Sequence, residues 1–428
     1  MAIITSLICL LFIFISVLLE KRIYSPLILF NAWWGITIFI SHLGFFGIFV
    51  PNETTYFCML VAILAFNFPF IFLLKESKFK QEKSEMLNTD LVDSKSFIVR
   101  LLLFLQGTVI FILVIRSYKA MQLLMAGLGF SAIRYNYFKQ ETIMSGYDHF
   151  INNIFVMPIL TFSIIFISLQ FFQKKYNKPL MFLTIISIIL FVFSSGGRGI
   201  VITLGIVFIT SYYINGRNIR KIEFSKKLLI QIIALGVFLS LVYISLQRLE
   251  TGGGLKGVIE TVVVYFTAPY IYYENMIPNV INDHILLYGK GFFGGIIDLF
   301  IFVLRFLGLD ISPISAYIST YNQMYIVVSN DGSIYNAFPT MLYTFYYDFG
   351  YVGIILGSLM FGFLSFIFYK KMITSDNFGY KGIYIMVVLM IYESPMRWIG
   401  TSAHVWIVIL MFLFLLYWSK NKRNVNKN

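Results

Sequence analysis

Residues 2–19 read AIITSLICLLFIFISVLL, eighteen positions without a charge, and residues 405–418 read VWIVILMFLFLLYW, fourteen more of the same kind. A membrane-spanning strand alternates apolar and polar residues over about ten positions, whereas unbroken apolar runs suit a helix whose backbone groups pair internally. These two runs predict helices in a bilayer and exclude a barrel.

The rest of the chain agrees with them. Of its 428 residues 59% are hydrophobic and 12% charged, with a mean hydropathy of +0.81; a soluble domain carries about 25% charged residues. A water-soluble fold with this composition would leave large apolar patches exposed. No basic segment precedes residues 2–19, and Glu20, Lys21 and Arg22 follow directly, so the run is expected to be a retained helix rather than a signal peptide. The two cysteines, Cys9 and Cys58, lie in apolar runs without CxxC spacing, which argues against a disulfide framework or a metal site. The chain has no GxxxxGK[ST] and no zinc-type His/Cys spacing, which excludes the common nucleotide motors and zinc sites.

Apolar stretches read as spans, with Lys and Arg clusters read as cytoplasmic, give one consistent path. It has about eleven spans, near 2–19, 24–48, 55–74, 98–116, 150–171, 179–194, 200–214, 228–247, 350–369, 382–396 and 401–418. The N-terminus is then outside and the C-terminus inside. On this path 23 of the 33 Lys and Arg face the cytoplasm, leaving the two sides at about +15 and about −2. The net charge of +13 therefore reports topology, not a nucleic-acid footprint. The expected class is all-α and polytopic, a single integral membrane domain over residues 1–428.

Three segments depart from the up-and-down pattern. Residues 75–97 form a hydrophilic cytoplasmic linker. Residues 119–149 form an outer loop, and residues 248–349 a much larger one. Within the large loop, 257–280 and 291–309 are themselves apolar; they are expected as surface or re-entrant helices, because only Lys290 could anchor a cytoplasmic turn between them. No internal repeat is visible.

The segment Ser194-Ser195-Gly196-Gly197-Arg198-Gly199 interrupts an apolar stretch, 179–214, that would be about 54 Å long as one helix. Against a hydrocarbon core of about 30 Å it must fold back as a hairpin. Arms of about fifteen residues draw the turn toward the membrane, and Arg198 with it. Glycines there permit left-handed backbone and close approach of a ligand, and the Arg fork suits a diphosphate. Snorkelling to lipid phosphates is the plainer alternative. Arg248 and Glu250 open the large loop just before Gly252-Gly253-Gly254, an arrangement that suits either an interfacial ligand site or a solvated helix end. Arg134 lies among Tyr135, Tyr137 and Phe138, where aromatic faces can stack on sugar rings or simply anchor at the interface. Asp348 precedes Phe349-Gly350 and has an alternative role as a helix N-cap. Glu393 and Arg397 have i,i+4 spacing and can pair. His284, in the outer loop, has an imidazole whose ordinary pKa near 6.5 suits a general base.

Together these features resemble the Wzy family of O-antigen and capsular polysaccharide polymerases: the spans, Arg198 in its glycine turn, the large loop entered by Arg248, and Asp348-Phe349-Gly350 followed by Gly353 and Gly357. The resemblance implies a metal-independent, cofactor-free glycosyltransferase of the bacterial cytoplasmic membrane. It would join undecaprenyl-diphosphate-linked oligosaccharide repeat units at the outer face, alongside a chain-length regulator and a flippase of the same pathway. By analogy Arg198, Arg248 and Arg134 would hold diphosphate, and Glu250, Asp348 or His284 would receive the acceptor proton. Tyr135, Tyr137 and Asn336 would contact sugar.

Two other classes share parts of this pattern. O-antigen ligases have a His-Asn pair in the outer loop where this chain reads Ile334-Tyr335-Asn336, so Tyr stands in place of the His. Lipid-linked oligosaccharide flippases and other transporters also use intramembrane Arg, but they have short loops and internal symmetry. The expected function is therefore polymerisation, with ligase and flippase as alternatives.

Overall fold

The computed structural model describes residues 1–20, 22–76, 96–138, 142–173, 176–215, 254–283, 286–321, 324–335, 338–375 and 377–425. The described chain is helical apart from one short hairpin, in which β1 (Ile326–Val327) pairs antiparallel with β2 (Ile334–Tyr335). Helices occupy ten of the eleven expected stretches; the eleventh, 228–247, lies outside the described residues. Among the described residues, six helical segments are long and apolar enough to cross a membrane: Ala2–Glu20, Glu53–Ile71, Phe97–Met125, Gly146–Phe172, Lys178–Ser195 and Met341–Ser375. This is consistent with a multi-pass membrane protein. Pro26–His42, Gly199–Ile214 and Ala403–Trp418 are apolar but shorter.

The helices are α1 (Ala2–Glu20), α2 (Pro26–His42), α3 (Glu53–Glu76), α4 (Phe97–Met125), α5 (Phe130–Phe138), α6 (Gly146–Ile151) and α7 (Met157–Phe172). There follow α8 (Lys178–Ser195), α9 (Gly199–Ile214), α10 (Gly254–Asp283), α11 (Gly294–Phe306), α12 (Ile314–Tyr321), α13 (Met341–Ser375), α14 (Phe378–Glu393) and α15 (Ala403–Val425). They divide into two compact units. Unit 1 comprises residues 1–83, 259–375 and 386–406; unit 2 comprises 84–258, 376–385 and 407–428.

In unit 1, small residues let helix backbones approach, as membrane helices require. A Cβ added at Gly362 of α13 would stand 2.2 Å from the Phe66 carbonyl of α3, and one at Gly35 of α2 would stand 3.0 Å from Cys9 Cβ of α1. Phe30 stacks on Phe66 at 3.7 Å, and Phe361 meets both rings edge-on. Asn31 and Asn67 exchange side-chain hydrogen bonds of 2.8 and 2.9 Å in this core. Such a pair between membrane helices contributes about 0.6–2 kcal/mol.

Both apolar stretches of the large loop are helical. The stretch 257–280, expected at the surface, becomes core in its second half. Tyr270, Tyr272 and Tyr273 are fully buried, the Tyr270 hydroxyl bonds Thr37 at 2.5 Å, and Phe266 packs edge-on to Trp33. The Tyr270 and Tyr272 rings pack there with their polar tips satisfied, Tyr270 at Thr37 and Tyr272 at the Met324 carbonyl. The stretch 291–309 carries the helix α11, which turns Phe300 and Val303 outward while Asp298 is buried. The Asp298 carboxylate accepts from the amides of Ile314 and Ser315, which begin α12.

Unit 2 is built on α7, buried along nearly its whole length and apolar on every side. Gln106 of α4 donates to Ser187 of α8 and accepts from Ser163 of α7, tying three helices by one amide. Asn177 caps α8 by accepting from the Leu180 amide at 2.9 Å, just before Pro179 in its first turn. Helix α4 has 29 residues and runs to Met125, so the expected outer loop 119–149 begins as a continuation of the span.

Candidate functional site

In unit 2 one helix ends and the next begins where the turn is expected. Helix α8 ends at Ser195, Gly196 takes φ +56° as its C-cap, and α9 begins at Gly199. At about 1.5 Å per residue the arms are about 27 and about 24 Å long. Arg198 sits at the α9 N-cap, partly buried.

Gly196 has a close neighbour within the chain. A Cβ there would stand 3.1 Å from the Phe130 carbonyl and 3.6 Å from the Cβ of Arg134. Its missing side chain admits the backbone of α5. The consequence is that Arg134 and Arg198, 64 positions apart in sequence, share one end of unit 2. The Arg134 guanidinium lies 5.4 Å from the Phe138 ring centroid, and Tyr135 is exposed. Tyr137, expected to stack on sugar, is instead buried, and its hydroxyl donates to Asn152 Oδ1 at 3.3 Å.

The same Asn152 oxygen accepts from a cation at the end of the expected span 98–116. Arg116 of α4 is 2% exposed and donates from Nη1 to Asn152 Oδ1 at 2.9 Å and from Nη2 to the Asp148 carbonyl at 3.0 Å. Asn152 opens the π-helical turn Asn152–Val156 that leads into α7, and Asp148 completes a capping box with Ser145. Lys119, one turn on from Arg116, donates to the Ile143 carbonyl at 3.3 Å. Arg116 was detectable in principle, because a guanidinium inside an apolar run requires buried partners. Its neighbours Tyr137, Ile133, Ala120, Ile143 and Met144 form the local core under α5.

In unit 1, Asp348 has a task other than N-capping. Helix α13 breaks at Phe349 (φ −146°) and Gly350 (φ +62°), and the Asp348 carboxylate accepts from the amides of Gly291 at 2.7 Å and Phe292 at 2.8 Å. The Phe345 carbonyl and ring fold back onto Gly353 and Gly357, where a Cβ would stand 2.0 and 2.5 Å away. The clasped loop contains Tyr288 with φ +50° followed by Gly289 with φ +83°. With both carboxylate oxygens engaged, Asp348 shapes this loop. Glu250, His284, Arg248 and Asn336 lie outside the described residues. Glu393 and Arg397 pair as their spacing predicts, at 3.0 Å.

No family model, curated protein or solved structure matches the chain.

Proposed function

We propose that the chain is a multi-pass glycosyltransferase of the bacterial cytoplasmic membrane, with eleven spans, an outer N-terminus and a cytoplasmic C-terminus. It polymerises undecaprenyl-diphosphate-linked oligosaccharide repeat units into O-antigen or capsular polysaccharide at the outer face. The observation that carries this reading is the seating of the Arg134 helix on the Gly196 turn beside Arg198. Two guanidinium groups at one helix-hairpin end suit a diphosphate, and no nucleotide-binding motif accompanies them.

In the proposed reaction the acceptor hydroxyl oxygen attacks the anomeric carbon of the donor chain. The bond from that carbon to the diphosphate oxygen breaks, and its electron pair leaves with undecaprenyl diphosphate. Arg198, Arg134 and Arg248 donate hydrogen bonds to the departing charge. The hydroxyl proton passes to Glu250 or His284, while Asp348 holds the loop 287–292 in place.

Deleting the gene in its host and separating the surface polysaccharide by gel tests the reading. A ladder reduced to one repeat unit on its final acceptor is expected. Long chains stranded on undecaprenyl diphosphate would instead mean a ligase, and single units trapped inside a flippase. Stably inserted Arg198→Ala protein should reproduce the single-unit pattern, with Arg198→Lys recovering part of the chain length.

A further inference from the structure

The short segment around Glu393 and Arg397 in unit 1 is more tightly organised than an exposed ion pair needs to be. Two tryptophans of α2 hold it: Trp33 Nε1 donates to the Tyr392 carbonyl and Trp34 Nε1 to Ser394 Oγ, each at 2.8 Å. On the other side Trp398 is buried, donates to the Phe292 carbonyl at 2.9 Å, and packs on Phe292, Phe345 and Phe361. Glu393 and Arg397 thus project from a turn anchored on both flanks. They remain accessible, with side chains 21% and 43% exposed.

The guanidinium is fixed in two ways. Its Nε donates to Glu393 Oε2 at 3.0 Å, and its plane lies 4.4 Å from the Phe338 ring centroid. Phe338 is itself positioned, since its amide donates to the Tyr335 hydroxyl and its carbonyl accepts from it. Among the described residues nothing engages the two terminal nitrogens of Arg397 or the second oxygen of Glu393. The site therefore offers several N–H donors beside a carboxylate acceptor, held by aromatic side chains. Trp33, Phe266 and Tyr392 form a half-buried ring cluster next to it, with centroids 4.8 to 6.3 Å apart.

Charge selects among ligands. The Arg397–Glu393 pair is neutral overall, so it lacks the surplus positive charge that a phosphate requires and that Arg134 and Arg198 supply in unit 2. Fixed donors and an acceptor beside aromatic rings instead match a ligand with adjacent hydroxyls and apolar C–H faces. We propose that Glu393, Arg397 and the aromatic side chains around them form a saccharide-binding site, in which Arg397 donates to ring or hydroxyl oxygens and Glu393 accepts from a hydroxyl. The assignment deepens the polymerase reading and rests on it only for which glycan is bound.

The test uses the full-length protein in nanodiscs, with soluble oligosaccharide released by mild acid from the host's own surface polysaccharide. Contact is read by saturation-transfer difference NMR. Wild-type protein should bind; Glu393→Gln and Arg397→Lys should each weaken binding about tenfold or more with an unchanged melting temperature. Gly107→Ala, at a position with open space in unit 2, should bind as wild type. Wild-type affinity in both Glu393→Gln and Arg397→Lys, or no contact in the wild type, overturns the site. Its failure is distinguishable from failure of the polymerase reading: binding lost in Glu393→Gln, in a protein whose deletion leaves chain length unchanged, keeps the site and removes the polymerase. Shortened chains in Arg198→Ala with no glycan contact do the reverse.

Discussion

Asp348 Oδ1 accepts the Gly291 amide at 2.7 Å, and a Cβ added to residue 291 would stand 2.9 Å from that same oxygen. The bond and the glycine therefore depend on each other. Gly291→Ala is expected to destabilise the protein by about 1–3 kcal/mol by displacing the carboxylate from a buried amide. Asp348→Asn should cost a similar amount, because its NH2 group would face a donor. Gly107→Ala, inside α4 at a position with open space, should leave thermal unfolding in detergent unchanged or raise it slightly.

At the hairpin turn of unit 2, Gly196 and Gly199 should respond differently. Gly196→Ala places a Cβ at φ +56° against the Phe130 carbonyl, for an expected loss of about 1–2 kcal/mol. Gly199→Ala, in open space at the first turn of α9, should be neutral or stabilising. If both glycines instead tolerated alanine in a melting experiment, the packing of α5 on this turn would be wrong.

Arg116 should behave as a fixed structural cation. Arg116→Met leaves Asn152 Oδ1 and the Asp148 carbonyl without their main donor, and a loss of about 2–4 kcal/mol is expected. Asn152→Ala should lose less, because the Arg116 Nη2 bond to the Asp148 carbonyl survives it. Hydrogen exchange across residues 142–156 locates the change, and undisturbed protection there in Arg116→Met would contradict the network.

Two aspartates of unit 1 should titrate with opposite sign. Burial raises the Asp298 carboxyl above its ordinary value, so its contribution is complete below the unfolded pKa and is lost as pH rises through the folded one. Hydrogen bonding from Ser329 lowers that of Asp331, so its contribution is present above the unfolded pKa and is lost as pH falls through the folded one. Between about pH 6 and about pH 3, amide protection in the 326–335 hairpin should decline. Protection at the start of α12 should hold or rise. Parallel decline in both regions would refute the assignment.

Much of the fold was legible because hydropathy is a local property. Runs such as 2–19 need only their own composition to become helices, and the turn at 196–199 follows from comparing one apolar length with bilayer thickness. The Glu393–Arg397 pair was legible for the same reason, being one helical turn apart. What escaped reading was pairing over distance. Nothing near Asp348 announces a loop 57 positions earlier, and nothing near Gly196 announces α5. Tyr137 reads as a surface aromatic until Asn152 supplies its buried acceptor. The second half of α10 reads as an interfacial segment until Thr37 and Trp34 receive the Tyr270 ring.

The reciprocal amides of Asn31 and Asn67 also bear on how the protein is assembled. Each is a polar group in an apolar helix, and in hydrocarbon it is costly until its partner arrives. Asn31 gains a local bond to the Leu27 carbonyl, but the exchange with Asn67 requires α3 as well. Residues 26–76 are therefore best delivered to the membrane as one hairpin, so slowing synthesis between the two helices would expose an intermediate prone to quality control.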